Sequence, residues 1–143
     1  MLYNAPAKGE DGFYFVKALN DSKRKCLVQL NKVNIADISG DVVINLNSDV
    51  NTGKIKVIDE HNLSAAVENA ETWFGKKLSD NVVEGAYTSS IADGQITGER
   101  IEVTKVFNSD QEDIDFDTIQ SDKVCDVILE FAGLWFAKKS FGS

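Results

Sequence analysis

Basic and aromatic residues recur close together in this chain, a combination typical of proteins that bind single-stranded nucleic acid. Bases stack on exposed aromatic rings, and phosphates need nearby positive charge. Four short basic groups are present: residues 23–25, 76–77, 100 with 105, and 138–139. The second and fourth groups each follow a Trp-Phe pair after one intervening residue, and the surrounding pattern assigns these pairs to an apolar helix end and a core strand.

The best candidate for an exposed stacking ring is Tyr14, because it alternates with Phe13 and Phe15 on a predicted strand. Lysines and arginines on a predicted hairpin tip and on predicted strands could supply a positive groove beside it. The predicted nucleic-acid-binding residues are Tyr14, Lys23, Arg24, Lys25, Lys32, Arg100 and Lys105.

Catalytic groups are scarce. A Ser or Cys nucleophile needs a base held by a third group, yet His61 is the single histidine, beside Glu60 in a predicted first helical turn. The sequence contains no G-x-S-x-G elbow, no P-loop and no G-x-G-x-x-G motif. We therefore predict a binding protein without enzymatic activity, catalytic residues or cofactor.

An acidic segment, residues 109–122, carries six carboxylates and no lysine or arginine. Counted from Asp113, an EF-hand would need glycine at position six and glutamate at position twelve, where Thr118 and Val124 stand. The segment is predicted to be a flexible, solvated loop, and no metal site is predicted. Weak divalent-cation binding, or mimicry of nucleic-acid charge over a basic groove, are the alternatives.

Composition indicates one acidic globular domain, residues 1–143. The 15 basic and 23 acidic residues give a net charge of −8, and setting aside the six carboxylates of the acidic segment leaves about −2. Cys26 and Cys125 lie in apolar, strand-like runs and are predicted to be buried free thiols. The sequence has neither an apolar leader nor a membrane-length apolar run, so we expect an intracellular protein that is not secreted.

Hydrophobic periodicity predicts an α+β fold, with a mostly antiparallel sheet or OB-like barrel and one or two helices between N-terminal and C-terminal strands. A 3.6-residue apolar stripe over residues 63–78 predicts a helix capped by Asp59 or Asn62, and Ser79-Asp80 can cap a second. Residues 47–53 and 91–98 are predicted loops, and Gly133 is predicted to bend or divide the last strand. The predicted strands cover residues 13–19, 25–35, 41–46, 54–58, 99–107 and 123–136.

Two stretches carry a family resemblance. Residues 58–87 contain Trp73-Phe74-Gly75-Lys76, and residues 128–142 contain Leu134-Trp135-Phe136 and Lys139-Ser140-Phe141-Gly142. Together they resemble small OB-like single-stranded DNA-binding proteins of large double-stranded DNA viruses of algae and protists. The resemblance implies viral DNA replication or repair, and it extends to other viral proteins, including virion components. It also implies a final aromatic strand after Gly142, which this sequence does not contain.

Two functional hypotheses follow. The first is a module that binds single-stranded DNA or RNA, with the acidic segment competing for its groove. The second is a virion structural or protein–protein interaction component, with other protein chains as partners and a possible homo-oligomer. Neither hypothesis involves a membrane.

Overall fold

Short strands and three helices make up the described part of the chain, residues 1–119 and 123–143 of a computed structural model. The helices are α1 (Asp49–Glu68), α2 (Ala70–Phe74) and α3 (Asp80–Ala86), and residues Phe116–Thr118 form a 3₁₀ turn. In chain order the strands are β1 (Leu2–Tyr3), β2 (Ala7–Lys8), β3 (Tyr14–Leu19), β4 (Cys26–Asp37), β5 (Val42–Asn45), β6 (Tyr87–Thr88), β7 (Gln95–Gly98), β8 (Val106–Phe107), β9 (Asp113–Ile114), β10 (Val124–Phe131), β11 (Gly133–Phe136) and β12 (Phe141–Gly142).

The strands form two main sheets. Sheet I has the order β1-β3-β11-β12-β6, with β2 beside β3, and sheet II has the order β10-β4-β5-β7. Every pairing in them is antiparallel except β12 with β6. The α+β class with mostly antiparallel strands is therefore confirmed, as is the placement of the helices between the N-terminal and C-terminal strands. In the described residues neither sheet closes into a barrel, and the helices number three rather than one or two.

One continuous segment joins the two sheets. Strands β10 and β11 are separated by Ala132 alone, and they pair with β4 in sheet II and then with β3 in sheet I. The crossing is at Gly133, which has a φ of +147°. A Cβ atom there would lie 2.0 Å from the carbonyl oxygen of Val16, so only glycine fits. The predicted division of the last strand at Gly133 is confirmed.

Three apolar clusters form the core, and α1 reaches all of them. Ile55 of α1 belongs to the cluster inside sheet II, Ile58 packs near Cys26 where the sheets meet, and Ala66 belongs to the cluster under sheet I. The 20 residues of α1 span about 30 Å, which is long enough to connect these regions. Alanines at positions 65, 66 and 70 let the helices approach sheet I closely.

The predicted strand at residues 54–58 is wrong, as is the predicted loop at residues 47–53, because α1 begins at Asp49. The Ser48 side chain caps the helix by accepting the amide N–H of Asn51 at 3.2 Å, so neither Asp59 nor Asn62 is the cap. The buried stripe continues back through positions 62, 55 and 51. Two of these core positions hold asparagine. Because asparagine is polar, the apolar periodicity of the sequence does not extend through this part of the helix.

The predicted strand at residues 99–107 is also wrong except for Val106–Phe107. Ile101 and Thr104 form a turn, in which the Thr104 N–H donates to the Ile101 carbonyl and the Ile101 N–H donates to the Thr104 hydroxyl. Ile101 and Val103 are both exposed, so the apolar side chains of this alternating pattern do not pack against a sheet. The strands predicted at residues 13–19, 25–35, 41–46 and 123–136 are confirmed as β3, β4, β5 and β10–β11.

Two smaller predictions concern cysteines and membranes. Both cysteines are free, with Cys26 buried as predicted and Cys125 half-buried. Burial raises the pKa of both thiols, which favours the neutral form. Within the residues that the structure describes, no helix combines the length and apolarity needed to cross a membrane.

We expect Gly133→Ala to lower the free energy of unfolding by roughly 3 kcal/mol or more, because the new Cβ clashes with the β3 backbone. A matched control is Gly53→Ala in α1, where a Cβ meets open space. That change should stabilise the protein by about 0.5–1 kcal/mol, since alanine is the better helix former. Urea denaturation of both variants tests the pair, and equal effects would contradict the crossing geometry.

Candidate functional site

The predicted basic hairpin tip lies between β3 and β4. The Asn20 side chain organises this turn by accepting the amide N–H groups of Ser22 and Arg24 at 2.9 and 3.0 Å. Lys23 has a φ of 61°, and the three basic side chains are exposed. Lys25 makes a long ion pair with Glu130, at 3.8 Å. The tip is therefore a solvated turn with one cation already paired.

Arg100 is engaged by the acidic segment. Its guanidinium lies 4.0 Å from the centroid of the Phe116 ring and 3.6 Å from the carboxylate of Asp117. Phe116 is buried, so this contact fixes one end of the segment. The segment also contains β9, which pairs with β8, while its residues 120–122 lie outside the described part of the chain.

The remaining predicted cations are dispersed. Lys32 sits at an irregular point of β4 with a φ of 55°, where its amide N–H donates to the Asp126 carboxylate at 3.0 Å. Lys105 is exposed just before β8. Tyr14 begins β3, about 20 Å along the strand from the hairpin tip. Among the described residues, no hydrogen bond, ion pair or ring contact joins any two of the seven predicted side chains, and their assembly into one groove stays a prediction.

Tyr14 instead belongs to an open cleft of about 930 Å³. Three connections surround this cleft: the loop before β3, the α2–α3 connection and the β11–β12 loop. We call it the lysine cleft. Its lining residues are Pro6, Gly12, Phe13, Tyr14, Thr72, Trp73, Phe74, Gly75, Lys76, Leu78, Val82, Val83, Ala86, Phe136, Ala137, Lys138, Lys139 and Ser140.

Aromatic rings form the base of the lysine cleft. Phe136 stacks on Phe141 with a centroid distance of 5.5 Å and an interplanar angle of 5°. Phe74 meets both rings edge-on at 5.6 and 5.3 Å, and Trp73 meets Phe136 at 5.9 Å. Such pairs contribute roughly 0.5–1.5 kcal/mol each beyond simple burial. The cluster fixes the cleft wall by packing α2 against β11 and β12.

The lysine cleft is basic although the protein is acidic. Lys76, Lys138 and Lys139 line it, and no carboxylate does among the described residues. None of these lysines makes an ion pair within residues 1–119 and 123–143. Lys8 of β2 lies directly across from Tyr14 and adds a fourth ammonium group next to the ring. The lining of the cleft thus concentrates positive charge, while beside it the Asp11 carboxylate accepts the Phe13 N–H at 3.0 Å.

Two large rings remain exposed at the lysine cleft. Phe13 is 56% exposed and Tyr14 is 53% exposed. Exposed rings beside ammonium groups can stack on a planar ligand while the lysines bind its anionic groups. The arrangement can therefore hold a ligand that is both aromatic and negatively charged.

A polar network supports the wall of the lysine cleft. The Tyr87 ring packs on Phe141 at 5.1 Å, and its hydroxyl donates to the Asp59 carboxylate of α1. That carboxylate also accepts the Ser89 and Ser90 hydroxyls at 2.9 and 2.8 Å. The amide of buried Asn62 donates to the Tyr87 hydroxyl and accepts the hydroxyl of Tyr3. Burial, with the Asp59 hydrogen bond, raises the pKa of Tyr87 to about 12, and burial also raises that of Tyr3.

The sequence identified only Tyr14 of the groups that meet at the lysine cleft. Lys76, Lys138 and Lys139 belong to basic groups in the sequence but are not among the predicted site residues. The signal that could have found them is the Trp-Phe pair preceding each group, because both pairs contribute a ring to one cluster. The two pairs come together because α2 packs against β11 in the folded protein.

The raised pKa of Tyr87 predicts a loss of stability at high pH. From pH 10 to about 12 the unfolded chain loses the Tyr87 proton while the folded chain keeps it, so the free energy of unfolding falls. Tyr87→Phe should fall less steeply over that range. At pH 7 the variant should be roughly 1.5–3 kcal/mol less stable, because it lacks the hydrogen bond to a charged carboxylate. Urea denaturation at pH 7, 10, 11 and 12 measures both effects, and identical slopes would contradict this assignment.

Comparison with known proteins gives one match. The model of a family of unknown function, DUF5871, matches residues 31–143, which include α1–α3 and the β11–β12 loop but not Phe13 or Tyr14. Neither the curated proteins nor the solved structures contain a match. Because the matched residues cover most of its length, the chain belongs to the DUF5871 family.

Proposed function

We propose that this protein binds single-stranded nucleic acid in the lysine cleft, without catalysing a reaction. The observation that carries the proposal is the meeting of three unpaired lysines with two exposed aromatic rings, in a cleft whose described lining contains no carboxylate. Single-stranded DNA is the partner we would test first, as the sequence resemblance implies. A role in viral DNA replication or repair inside the host cell, and kinship with OB-like proteins, belong to the same proposal.

Charge supports the location. The six carboxylates of the acidic segment account for most of the net charge of −8, so a polyanion approaches the lysines of the cleft more readily than it approaches that segment. Lys76 follows α2, whereas Lys138 and Lys139 lie in the β11–β12 loop. The cleft lysines therefore come from two separate parts of the chain. The hairpin tip and Arg100 are weaker candidates, because Lys25 and Arg100 already have carboxylate partners.

Stacking supports the nature of the ligand. Bases stack on aromatic side chains with about 1–3 kcal/mol per base, and every base has a face that can stack. Phe13 and Tyr14 present rings at the cleft without a covering layer in the described residues. Duplex DNA keeps its bases inside, so exposed stacking rings favour single strands over duplexes.

The form of the cleft agrees with this ligand class. Its volume of about 930 Å³ lies near the upper end of ligand pockets, which run from about 300 to 1,000 Å³. The cleft is open, as a continuous chain that enters and leaves the site requires. Its lysines are exposed at the rim, while the rings of Phe74 and Phe136 are half-buried below them.

Removing Lys138 and Lys139 together tests the charge contribution. With three phosphate contacts, the logarithm of the binding constant should fall with the logarithm of salt concentration with a slope of about −2. Lys138→Ala/Lys139→Ala should reduce the slope to about −0.7 and weaken binding roughly 50-fold at 50 mM NaCl. Fluorescence anisotropy with a labelled oligothymidylate measures both quantities.

The matched control for that variant removes two exposed cations from the hairpin tip, Lys23→Ala/Arg24→Ala. We expect it to keep at least half of the wild-type affinity and the full salt slope. If the tip variant loses binding while the cleft variant keeps it, the groove predicted from the sequence is correct and the lysine cleft is not the site. Absence of any oligonucleotide binding at 50 mM NaCl would refute the proposed function itself.

Tyr14 should contribute through its ring. Tyr14→Ala should weaken oligonucleotide binding by about 1–3 kcal/mol, because a stacked base loses its partner. Tyr14→Phe keeps the ring and should bind like the wild type, and fluorescence anisotropy with the labelled oligothymidylate measures both variants. Equal losses in both variants would show that the hydroxyl, rather than the ring, makes the contact.

A further inference from the structure

Strand β10 forms a long open edge of sheet II. Its residues Val124–Phe131 pair with β4 on one side, and no strand pairs with the other side within residues 1–119 and 123–143. An edge of this kind presents unpaired N–H and C=O groups, which can bind a further strand. β10 is eight residues long, and its register with β4 shifts between Cys125 and Val127.

The outward face of β10 alternates two chemistries. Val124 and Ile128 are 65% and 68% exposed, and Asp126 and Glu130 are the exposed residues between and after them. Leu27 of β4 pairs with Glu130 and lies diagonal to Ile128, so it widens the apolar part of this face. Lysine and proline, which commonly protect sheet edges, are absent from β10.

We infer that the β10 edge binds an extended segment of another protein in which every second residue is alternately apolar and basic, because only alternate residues of a strand share a face. The main chain of that segment would pair with β10. Its apolar side chains would cover Val124 and Ile128, and its basic side chains would face Asp126 and Glu130. This surface is separate from the lysine cleft, and the inference does not depend on the proposed nucleic-acid binding.

Charge disfavours antiparallel pairing of this edge with a second copy of the chain. If two β10 strands paired antiparallel with their exposed faces on the same side, a carboxylate of one copy would lie opposite or diagonal to a carboxylate of the other. Like charges at such positions destabilise a sheet pairing. The basic side chains of a partner segment are instead attracted to these two carboxylates.

Both carboxylates are available to such a partner. Asp126 accepts the amide N–H of Lys32 at 3.0 Å, which orients it, but it makes no ion pair in the described residues. The pair between Glu130 and Lys25 is long, at 3.8 Å, and both groups are solvent-accessible. Exposed pairs of this kind stabilise little, so a partner cation can replace Lys25.

The test uses three labelled octapeptides with the intact chain. In the first, Val and Lys alternate at every second position with Thr between them (VTKTVTKT). In the second, the same residues are grouped in blocks (VTVTKTKT), and in the third Glu replaces Lys (VTETVTET). We expect the alternating Lys-Val peptide to bind at least tenfold tighter than the block peptide of equal charge, and the Glu-Val peptide not to bind. Amide hydrogen exchange should slow in β10 on binding.

Two variants test whether the peptide binds at the β10 edge. Ile128→Lys places a cation in the middle of the edge and should weaken peptide binding at least tenfold, while Val57→Lys at an exposed position of α1 should leave it unchanged. Ile128→Lys should keep oligonucleotide binding, and Lys138→Ala/Lys139→Ala should keep peptide binding. A failure of one function is thereby distinguished from a failure of the other.

Three outcomes would overturn the inference. The first is equal affinity for the alternating and block peptides, which would indicate attraction to the acidic protein as a whole. The second is an equal effect of Ile128→Lys and Val57→Lys. The third is a dimer in sedimentation with β10 amides protected before peptide is added, which would make a second copy the occupant.

Discussion

The fold depends on two buried asparagines that attach α1 to both sheets. The Asn51 amide donates to the carbonyls of Asn31 and Leu46 at 2.8 and 2.7 Å, where β4 is irregular and β5 has just ended. Three turns along, Asn62 contacts the hydroxyls of Tyr3 and Tyr87. Burying an amide costs free energy unless its hydrogen bonds are made, so these contacts permit essentially one position of the helix. The position of α1 then determines where α2 and α3 begin.

The lysine cleft follows from that placement. Because α2 continues almost directly from α1, Trp73 packs against Phe136 and Phe74 packs against Phe141. The left-handed Gly75 then ends α2 and turns Lys76 toward the cleft. On the other side, the β11–β12 loop carries Lys138 and Lys139 next to the same ring cluster. The cations are held at the rim by the aromatic packing below them rather than by ion pairs.

Strand positions could be predicted from local patterns, whereas the site could not. Aromatic and β-branched runs identified β3, β4 and β10, because their alternation reflects one buried face. The start of α1 was missed since Asn51 and Asn62 occupy core positions, where only tertiary partners make an asparagine acceptable. Lys138 and Tyr14 lie far apart in sequence, and their proximity depends on the pairing of β11 with β3, which no local pattern specifies.

One continuous segment of chain contributes to an acidic sheet edge and to a basic cleft, and Gly133 lies between these two parts. Before the crossing, β10 presents carboxylates and aliphatic side chains at a sheet edge, whereas after it β11 contributes Phe136 to a cleft whose described lining holds lysines and no carboxylate. A polyanion is repelled by the first surface and attracted by the second. Since both surfaces belong to the same paired ribbon, a change that shifts the crossing displaces both. The requirement for glycine at position 133 therefore constrains both proposed binding surfaces as well as stability.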